Sequence, residues 1–254
     1  MSYERELGFV LSLLLVASLL LCWQIISYFE LVSAIYLPAP LTVFSALQAG
    51  LSSGELFKRV FVTVAHLAYG WFLASVGGIA LGSLIGSSES TRRALMPTLE
   101  FIRPLPASAI FPVAIAIVGL SQSMILIVIA FGSVWPTLLA TINGFATVKV
   151  RLQEFARIIG LTRARYLTSI VLPNALPDIF SGMRVSLTIA LILTVTGEML
   201  SSSPGLGFWI MLQARQFRTD DVFAGVVLLG LIGYASAQLL SYLERTTLRW
   251  RISE

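Results

Sequence analysis

Charge is scarce in this sequence, and so are cysteine and histidine. Charged residues make up 12% of the 254 positions, against about 25% in soluble domains, while 57% are hydrophobic. The single cysteine, Cys22, lies inside an apolar run, so no disulfide framework exists. The single histidine, His66, has no Cys, Asp or Glu cluster near it in the sequence and is interpreted as a polar packing residue. These shortages exclude a soluble domain and indicate a polytopic membrane protein.

Motifs for catalysis and nucleotide binding are also missing from the sequence. No G-x-x-x-x-G-K-[ST] occurs, so the chain cannot hydrolyse ATP by the P-loop route. H-E-x-x-H, G-x-S-x-G and paired intramembrane aspartates are missing too, which leaves a membrane enzyme without catalytic residues. We therefore predict no catalytic residue, no metal and no cofactor bound by this chain. The net charge of +4 sits in short loops, so no basic domain is exposed to nucleic acid.

Six apolar runs are long enough to be transmembrane helices. The first is too long for the apolar part of a signal peptide, and no small-residue cleavage site follows it, so it is interpreted as a retained helix. We predict an all-α membrane protein with one domain, residues 1–254. The predicted spans are 8–29, 57–86, 104–120, 122–144, 179–200 and 222–243.

The positions of Lys and Arg predict the orientation of these spans. With the N-terminus in the cytoplasm, Lys58, Arg59, Arg215 and Arg218 are the basic residues left on the outer side, out of 17 in the chain. Cytoplasmic loops of membrane proteins are enriched in Lys and Arg. Both termini and the loop at 146–178 are therefore expected in the cytoplasm, while the short stretch at 41–56 is expected to form an interfacial helix on the outer side.

Small residues and prolines predict how two of the spans pack. Pro104 and Pro106 open the third span and Pro112 lies inside it, so we expect it to be broken and buried among other helices. In the second span a small or polar residue recurs every four positions, which allows close approach of a neighbouring helix. These positions are His66, Gly70, Ala74, Gly78, Gly82 and Gly86.

The loop at 146–178 is the most basic part of the chain. Good helix formers over 151–159 and then Gly160, which tolerates left-handed backbone angles, predict a short helix that ends in a tight corner. A second short helix is predicted over 163–171, ending before Pro173. Such an Arg-bearing knob suits docking into a groove of another protein. The alternative is a basic loop that fixes topology and contacts lipid headgroups.

The spacing E-x-A-x3-G-x9-I-x-L-P within this loop resembles the cytoplasmic coupling loop of the membrane subunits of bacterial ABC importers. Phe155 stands where alanine is usual, at a position that is loosely held. The resemblance implies contact with an ATPase through the matched residues and two arginines between them. These are Glu154, Ala156, Arg157, Gly160, Arg163, Ile170, Leu172 and Pro173.

The resemblance covers nearly the whole chain. Besides the loop, the motifs at 37–40, 103–106, 197–207 and 243–250 occur in the same order as in importer permeases of the nitrate/sulfonate/taurine group. Membership of that group implies a type I importer fold in the bacterial inner membrane and a pore made by two permeases, here expected to be a homodimer. It also implies two P-loop ATPase subunits, which bind ATP and Mg, and a periplasmic or lipid-anchored substrate-binding protein.

A small oxyanion, such as nitrate, a sulfonate or taurine, is the solute that the resemblance implies. The alternative from another class is a secondary transporter or channel that works without an ATPase. Charges at the middle of spans and broken helices in paired halves would mark such a carrier. Here the middle of every predicted span lacks an acid or base, and the broken third span has no counterpart.

The fifth span carries a narrow small-to-polar stripe that ends in an acid. A carboxyl group near the membrane core is costly unless it faces protein or water. Two interpretations stay open: a translocation path or gate that faces its copy across a dimer axis, or a seam between helices. In either case we expect Glu198 to accept hydrogen bonds from backbone amides of the turn at 204–207. The stripe consists of Gly182, Ser186, Ala190, Thr194 and Glu198.

Overall fold

The computed structural model describes residues 2–148 and 150–249, and within them it contains helices and no strand, as the all-α prediction requires. The long helices fit the apolar runs of the sequence, and the short ones lie in the connections. In chain order they are α1 Ser2–Tyr28, α2 Pro40–Ser52, α3 Glu55–Gly86, α4 Glu89–Ile102, a 3-10 turn Ala107–Ile110, α5 Phe111–Val118, α6 Gln122–Ala146, α7 Val150–Ile158, α8 Arg163–Tyr166, a π turn Leu167–Val171, α9 Leu172–Ser201, α10 Leu206–Arg215 and α11 Thr219–Thr247.

The core is formed where α6 packs between α3 and α9. A Cβ atom at Gly82 of α3 would lie 2.6 Å from Cβ of Thr141 and 2.8 Å from the carbonyl oxygen of Leu138, both on α6. On the α9 side, a Cβ atom at Gly182 would lie 2.5 Å from Cβ of Ala140. The three backbones therefore approach more closely than any side chain would allow. The predicted packing role of the small residues in the second span is confirmed.

Four helices in the described residues are long and apolar enough to cross a membrane: α3, α6, α11 and the continuous helix Arg163–Ser201. The segment Glu89–Ile102 and the segment Ala107–Val118 pass the same test together, although they are bent by 80°. Leu14–Tyr28 of α1 is a shorter apolar helix. The described part of the chain thus has four candidate spans, or five if the bent pair is one span.

The third predicted span is broken, but its break lies elsewhere than expected. The residues predicted as a loop before it form α4, and the interruption falls between Ile102 and Ala107. Pro112 lies in the first turn of α5, where a missing N–H leaves no hydrogen bond unmade. The prediction that this span is buried among other helices is wrong for the single chain, because Phe111 and Ala114 are the residues of α5 that are buried.

The helix predicted to end before Pro173 continues into α9 instead. The π turn Leu167–Val171 follows α8 directly and changes the hydrogen-bond register from the fourth to the fifth residue. Pro173 then lies in the first turn of α9, where the absence of an N–H is tolerated. The helix of the predicted fifth span therefore begins at Leu172, and residues 172–178, which were predicted as part of the loop, are helical.

The first helix is attached to the bundle near its C-terminal end. Nε1 of Trp23 donates a hydrogen bond to the carbonyl oxygen of Pro38 at 3.0 Å. Its ring also lies 5.6 Å, centroid to centroid, from that of Phe223 on α11. Most apolar side chains described on α1 are exposed, for example Leu15 and Leu19. The helix therefore presents an apolar surface suited to lipid.

We expect Gly82→Ala to destabilise the protein by about 1–3 kcal/mol, because the new methyl group must push α3 away from the α6 backbone. Gly77→Ala on the same helix is the matched control, since a Cβ atom there has nothing within 4 Å. The control should be neutral or slightly stabilising. Thermal unfolding of the two purified variants in detergent measures the difference, and equal midpoints would contradict the close packing of α3 on α6.

Candidate functional site

A carboxyl group is completely buried near the C-terminal end of α9. Glu198 is 0% exposed, and its Oε2 accepts hydrogen bonds from Oγ1 of Thr63 and from the backbone N–H of Gly207, each at 2.9 Å. Nδ1 of His66 lies 2.9 Å from Oε1. An ionised carboxylate can only accept, so the ionised form of Glu198 requires the imidazole proton on Nδ1. The buried group thus has three donors, two from α3 and one from α10.

The start of α10 supplies backbone donors that would otherwise lack partners. The N–H of Leu206 donates to Oγ1 of Thr63 at 2.8 Å, and the next N–H, of Gly207, donates to Glu198. The first N–H groups of a helix have no partner within the helix, and the positive end of the helix dipole favours a carboxylate. The predicted hydrogen bond from the turn at 204–207 to Glu198 is confirmed at Gly207.

Two glycines allow the turn to lie directly on the carboxyl group. A Cβ atom at Gly205 would lie 2.1 Å from Cδ of Glu198, and one at Gly207 would lie 2.4 Å from the carbonyl oxygen of Val195. Both contacts are far shorter than van der Waals distances. The glycine-rich turn therefore covers the carboxyl group and excludes side chains from this place.

Sequence reasoning missed the partners of Glu198 on α3. His66 was interpreted as a packing residue, and Thr63 was not singled out, because both lie more than 130 positions away from the acid. The sequence nevertheless contained a signal. His66 begins one stripe of residues spaced four positions apart, Glu198 ends another such stripe, and both stripes face α6. Among the described residues, no group of three His, Cys, Asp or Glu is arranged to hold a metal ion.

The remaining polar residues of the α9 stripe are buried inside the single chain. Oγ of Ser186 donates to the carbonyl oxygen of Ser133 on α6 at 2.6 Å, and Oγ1 of Thr194 donates to the carbonyl oxygen of Ala190 at 2.7 Å. Both side chains are fully buried. The stripe therefore does not lie on a surface that a second copy could contact. Its part in a translocation path or gate stays a prediction.

The basic loop forms a corner of two short helices, as the sequence predicted. α7 ends at Ile158, and Gly160 has a φ of +65°, in the left-handed region. Glu154, Arg157 and Arg163 are exposed around this corner, whereas Ala156 is buried beneath it. The other residues of the loop motif are separate from the corner: Ile170 lies in the π turn, and Leu172 and Pro173 begin α9.

One side of α7 carries exposed apolar side chains, which the analysis of charge had missed. The side chains of Phe155 and Ile158 are 55% and 83% exposed, and Ile159 is also exposed. We call these three residues the apolar ridge. Their spacing i, i+3, i+4 places them on one side of the helix. A cleft of about 490 Å³ beside the corner is lined by Ser87, Gln153, Ala156, Arg157, Leu161, Arg163 and Tyr166.

Comparison with known proteins gives a consistent result. Residues 78–249 match the family model of the binding-protein-dependent transport system inner membrane component. The chain is 35% identical, over 98% of its length and 91% of the relative's, to SsuC of Bacillus subtilis (strain 168), which is named as an aliphatic sulfonates transport permease protein. It is 27% identical, over 94% of its length and 89% of the relative's, to the taurine transport system permease protein TauC of Escherichia coli (strain K12).

A solved structure shares the fold. A chain of the MetNI methionine ABC transporter, in an inward-facing conformation, matches 77% of this chain and 97% of its own length. The TM-score is 0.65 and the sequence identity is 18%. At this identity the match concerns the arrangement of helices alone.

We expect Glu198→Gln to retain most of the stability and Glu198→Leu to lose several kcal/mol. The amide oxygen of Gln can accept from Thr63 and Gly207, and its NH2 can donate to His66 once that ring changes tautomer. Leu would leave these donors buried without acceptors, at about 1–3 kcal/mol each. Thermal unfolding of both variants tests this, and a Leu variant as stable as the Gln variant would contradict a bracing role.

Proposed function

Because the chain belongs to the family of binding-protein-dependent transport system inner membrane components, we propose that two copies of it form the pathway by which an ABC importer moves a small oxyanion into the cell. The chain itself is a membrane-embedded permease subunit, a class of pore protein without enzymatic activity. Family membership argues against the alternative, a carrier or channel that works without an ATPase.

The proposal includes the arrangement and partners that the sequence suggested. In this proposal six spans cross the membrane and both termini lie in the cytoplasm, with the bent α4–α5 pair as the third span and α1 as the first. Two P-loop ATPase subunits bind ATP and Mg on the cytoplasmic side. A periplasmic or lipid-anchored substrate-binding protein delivers the solute on the other side. The location that follows is the bacterial inner membrane.

The observation that carries this proposal is the exposed apolar ridge at the corner of the basic loop. Large apolar side chains exposed beside Arg157 and Arg163 form a surface with an apolar centre and a charged rim, which is the composition of protein interfaces. The ridge lies in a polar loop beyond the ends of the long helices, where lipid chains would not cover it. A cytoplasmic ATPase that receives this knob in a groove would bury it.

The continuous helix from Arg163 to Ser201 connects the loop to the buried carboxyl group. α9 alone has 30 residues and so extends for about 45 Å. A displacement of the corner at Gly160 moves the base of this helix, and its far end carries Glu198 with its bonds to α3 and α10. We propose that ATP-driven closure of the ATPase pair acts along α9 on these bonds, and that the Glu198 cluster braces the outer gate.

The class of solute follows from the relatives. Permeases named for aliphatic sulfonates and for taurine match nearly the full chain. Both solutes carry a sulfonate group, and nitrate has a similar set of charged oxygens. A sulfonate is therefore the first solute to test. Deleting the gene and measuring growth on sulfonates as the sulfur source, and on nitrate as the nitrogen source, tests this class directly.

We expect the protein to co-purify with a P-loop ATPase as a complex of two permeases and two ATPases. Ile158→Asp should reduce the recovered ATPase at least about tenfold, because a carboxylate would be buried in the apolar contact. Arg151→Ala, on the exposed part of the same helix, is the control and should retain the complex. Purification of a transport-competent wild-type protein without any ATPase would contradict the assignment.

Gly160→Val should uncouple ATP hydrolysis from uptake without affecting insertion into the membrane. A Cβ atom at Gly160 has nothing within 4 Å, so the cost of about 1–3 kcal/mol arises from the left-handed backbone and not from a clash. Gly160→Asn is the control, because Asn adopts this conformation readily. Uptake and ATPase rates are measured together in membrane vesicles. Full uptake in the Val variant would show that the corner is not needed for coupling.

A further inference from the structure

A cavity of about 640 Å³ lies beside the break between α4 and α5. Two of its lining residues are charged, Glu100 at the end of α4 and Arg103 at the break. Asn143 and Trp135 of α6 add an amide group and an indole ring. No part of the loop motif or of the Glu198 cluster lies in this cavity. It is therefore a separate site in the membrane domain.

Contacts on either side of the break place Arg103 at the level of the middle of α6. On one side, a Cβ atom at Gly132 would lie 2.6 Å from Cβ of Ala107, so the start of the 3-10 turn contacts α6 there. On the other side, Leu99 packs against a cluster that contains Leu138. Arg103 lies between these two contacts.

Neither charged residue has a protein partner in the described ranges 2–148 and 150–249. Glu100 and Arg103 are neighbours at i, i+3 on the same helical turn, yet no ion pair or side-chain hydrogen bond joins them or links either side chain to another described residue. On the same helix, by contrast, Arg93 is paired with Glu89. Where ionisable residues persist among membrane-spanning helices, they mark the path of a solute or ion.

We propose that this cavity binds the transported solute, with Arg103 holding its anionic group and Glu100 its cationic group. This inference rests on the proposed function and specifies its substrate class as a small zwitterion, such as an aminoalkanesulfonate. A guanidinium group presents paired N–H donors that match the oxygens of a sulfonate. The Asn143 amide can donate to the same oxygens.

The carboxyl group of Glu100 is what distinguishes a zwitterion from a simple anion. A solute that carries only negative charge would be attracted by Arg103 and repelled by Glu100, which lines the same cavity. A solute with an ammonium group two carbons away from its sulfonate satisfies both residues at once. The indole ring of Trp135 offers an apolar wall for the carbon chain between them.

The test compares the uptake of two labelled solutes that differ by one ammonium group, taurine (2-aminoethanesulfonate) and ethanesulfonate. Cells that lack the gene are complemented with wild type, Glu100→Gln, Arg103→Gln or Arg103→Lys, so that the natural complex is used. Arg93→Gln is the matched control, since it removes a charge from α4 outside the cavity. Immunoblots of membranes correct for the amount of each variant.

We expect Glu100→Gln to lower the ratio of taurine to ethanesulfonate uptake roughly tenfold, and Arg103→Gln to lower uptake of both roughly tenfold or more. Arg103→Lys should retain part of the uptake, and Arg93→Gln all of it. Equal effects of Glu100→Gln on both solutes, or wild-type uptake by Arg103→Gln, would overturn the inference. If Arg103→Gln does not reach the membrane, the ratio of taurine to ethanesulfonate uptake in the Glu100→Gln variant tests the inference by itself.

The failure of this inference can be told apart from the failure of the proposed function. Wild-type cells that import ethanesulfonate through this gene but not taurine would overturn the zwitterion site and leave an oxyanion importer in place. If deletion of the gene alters the uptake of neither sulfonate nor of nitrate, the proposed function itself is wrong.

Discussion

Close contact between three helix backbones is the constraint on which the rest of this structure depends. In lipid no hydrophobic force drives apolar helices together, so they associate through van der Waals packing and hydrogen bonds at short range. The glycines of α3 and Gly182 of α9 allow these two helices to approach α6 closely on both of its sides. Once the backbones are this close, polar groups such as Ser186 reach carbonyl oxygens across the contact. The same packing brings α3 and the end of α9 together, and this allows the buried Glu198 cluster to form.

The Glu198 cluster shows how hydrogen bonds offset the cost of burying a carboxyl group, and which structural role that group then has. A carboxyl group without donors in such a place would cost several kcal/mol or take up a proton. Here donors come from a hydroxyl, an imidazole and a helix N-terminus, so the group joins α3, α9 and α10 at one point. Its geometry favours a brace within one chain over a residue that lines a path between two copies. Such a brace can still transmit movement, because the continuous helix Arg163–Ser201 extends from beside the loop corner to Glu198.

Much of this architecture could be predicted from the sequence, and the failures have physical reasons. Four-residue stripes predicted the packing face of α3, and Gly160 predicted the corner, because both depend on local spacing and backbone freedom. The continuation through Pro173 could not be foreseen, since it requires a π turn that changes which N–H groups are needed. The pairing of Glu198 with His66 depends on a contact between distant helices. The position of the break in the third span could not be foreseen either, since three prolines offered several places for it.

One rule, that a charged group among membrane helices must have partners, leads to opposite conclusions at the two ionisable sites. Glu198 is enclosed, has three donors from its own chain and leaves no room even for a Cβ atom at Gly205, so it has no surface open to a solute in this structure. Glu100 and Arg103 line an open cavity at the level of the middle of α6, and the described residues offer them no partner. At the first site the fold itself supplies the hydrogen-bond donors, and these hydrogen bonds hold the helices together. The second has no side-chain partner among the described residues, and in our proposal a solute that carries both signs of charge supplies both partners.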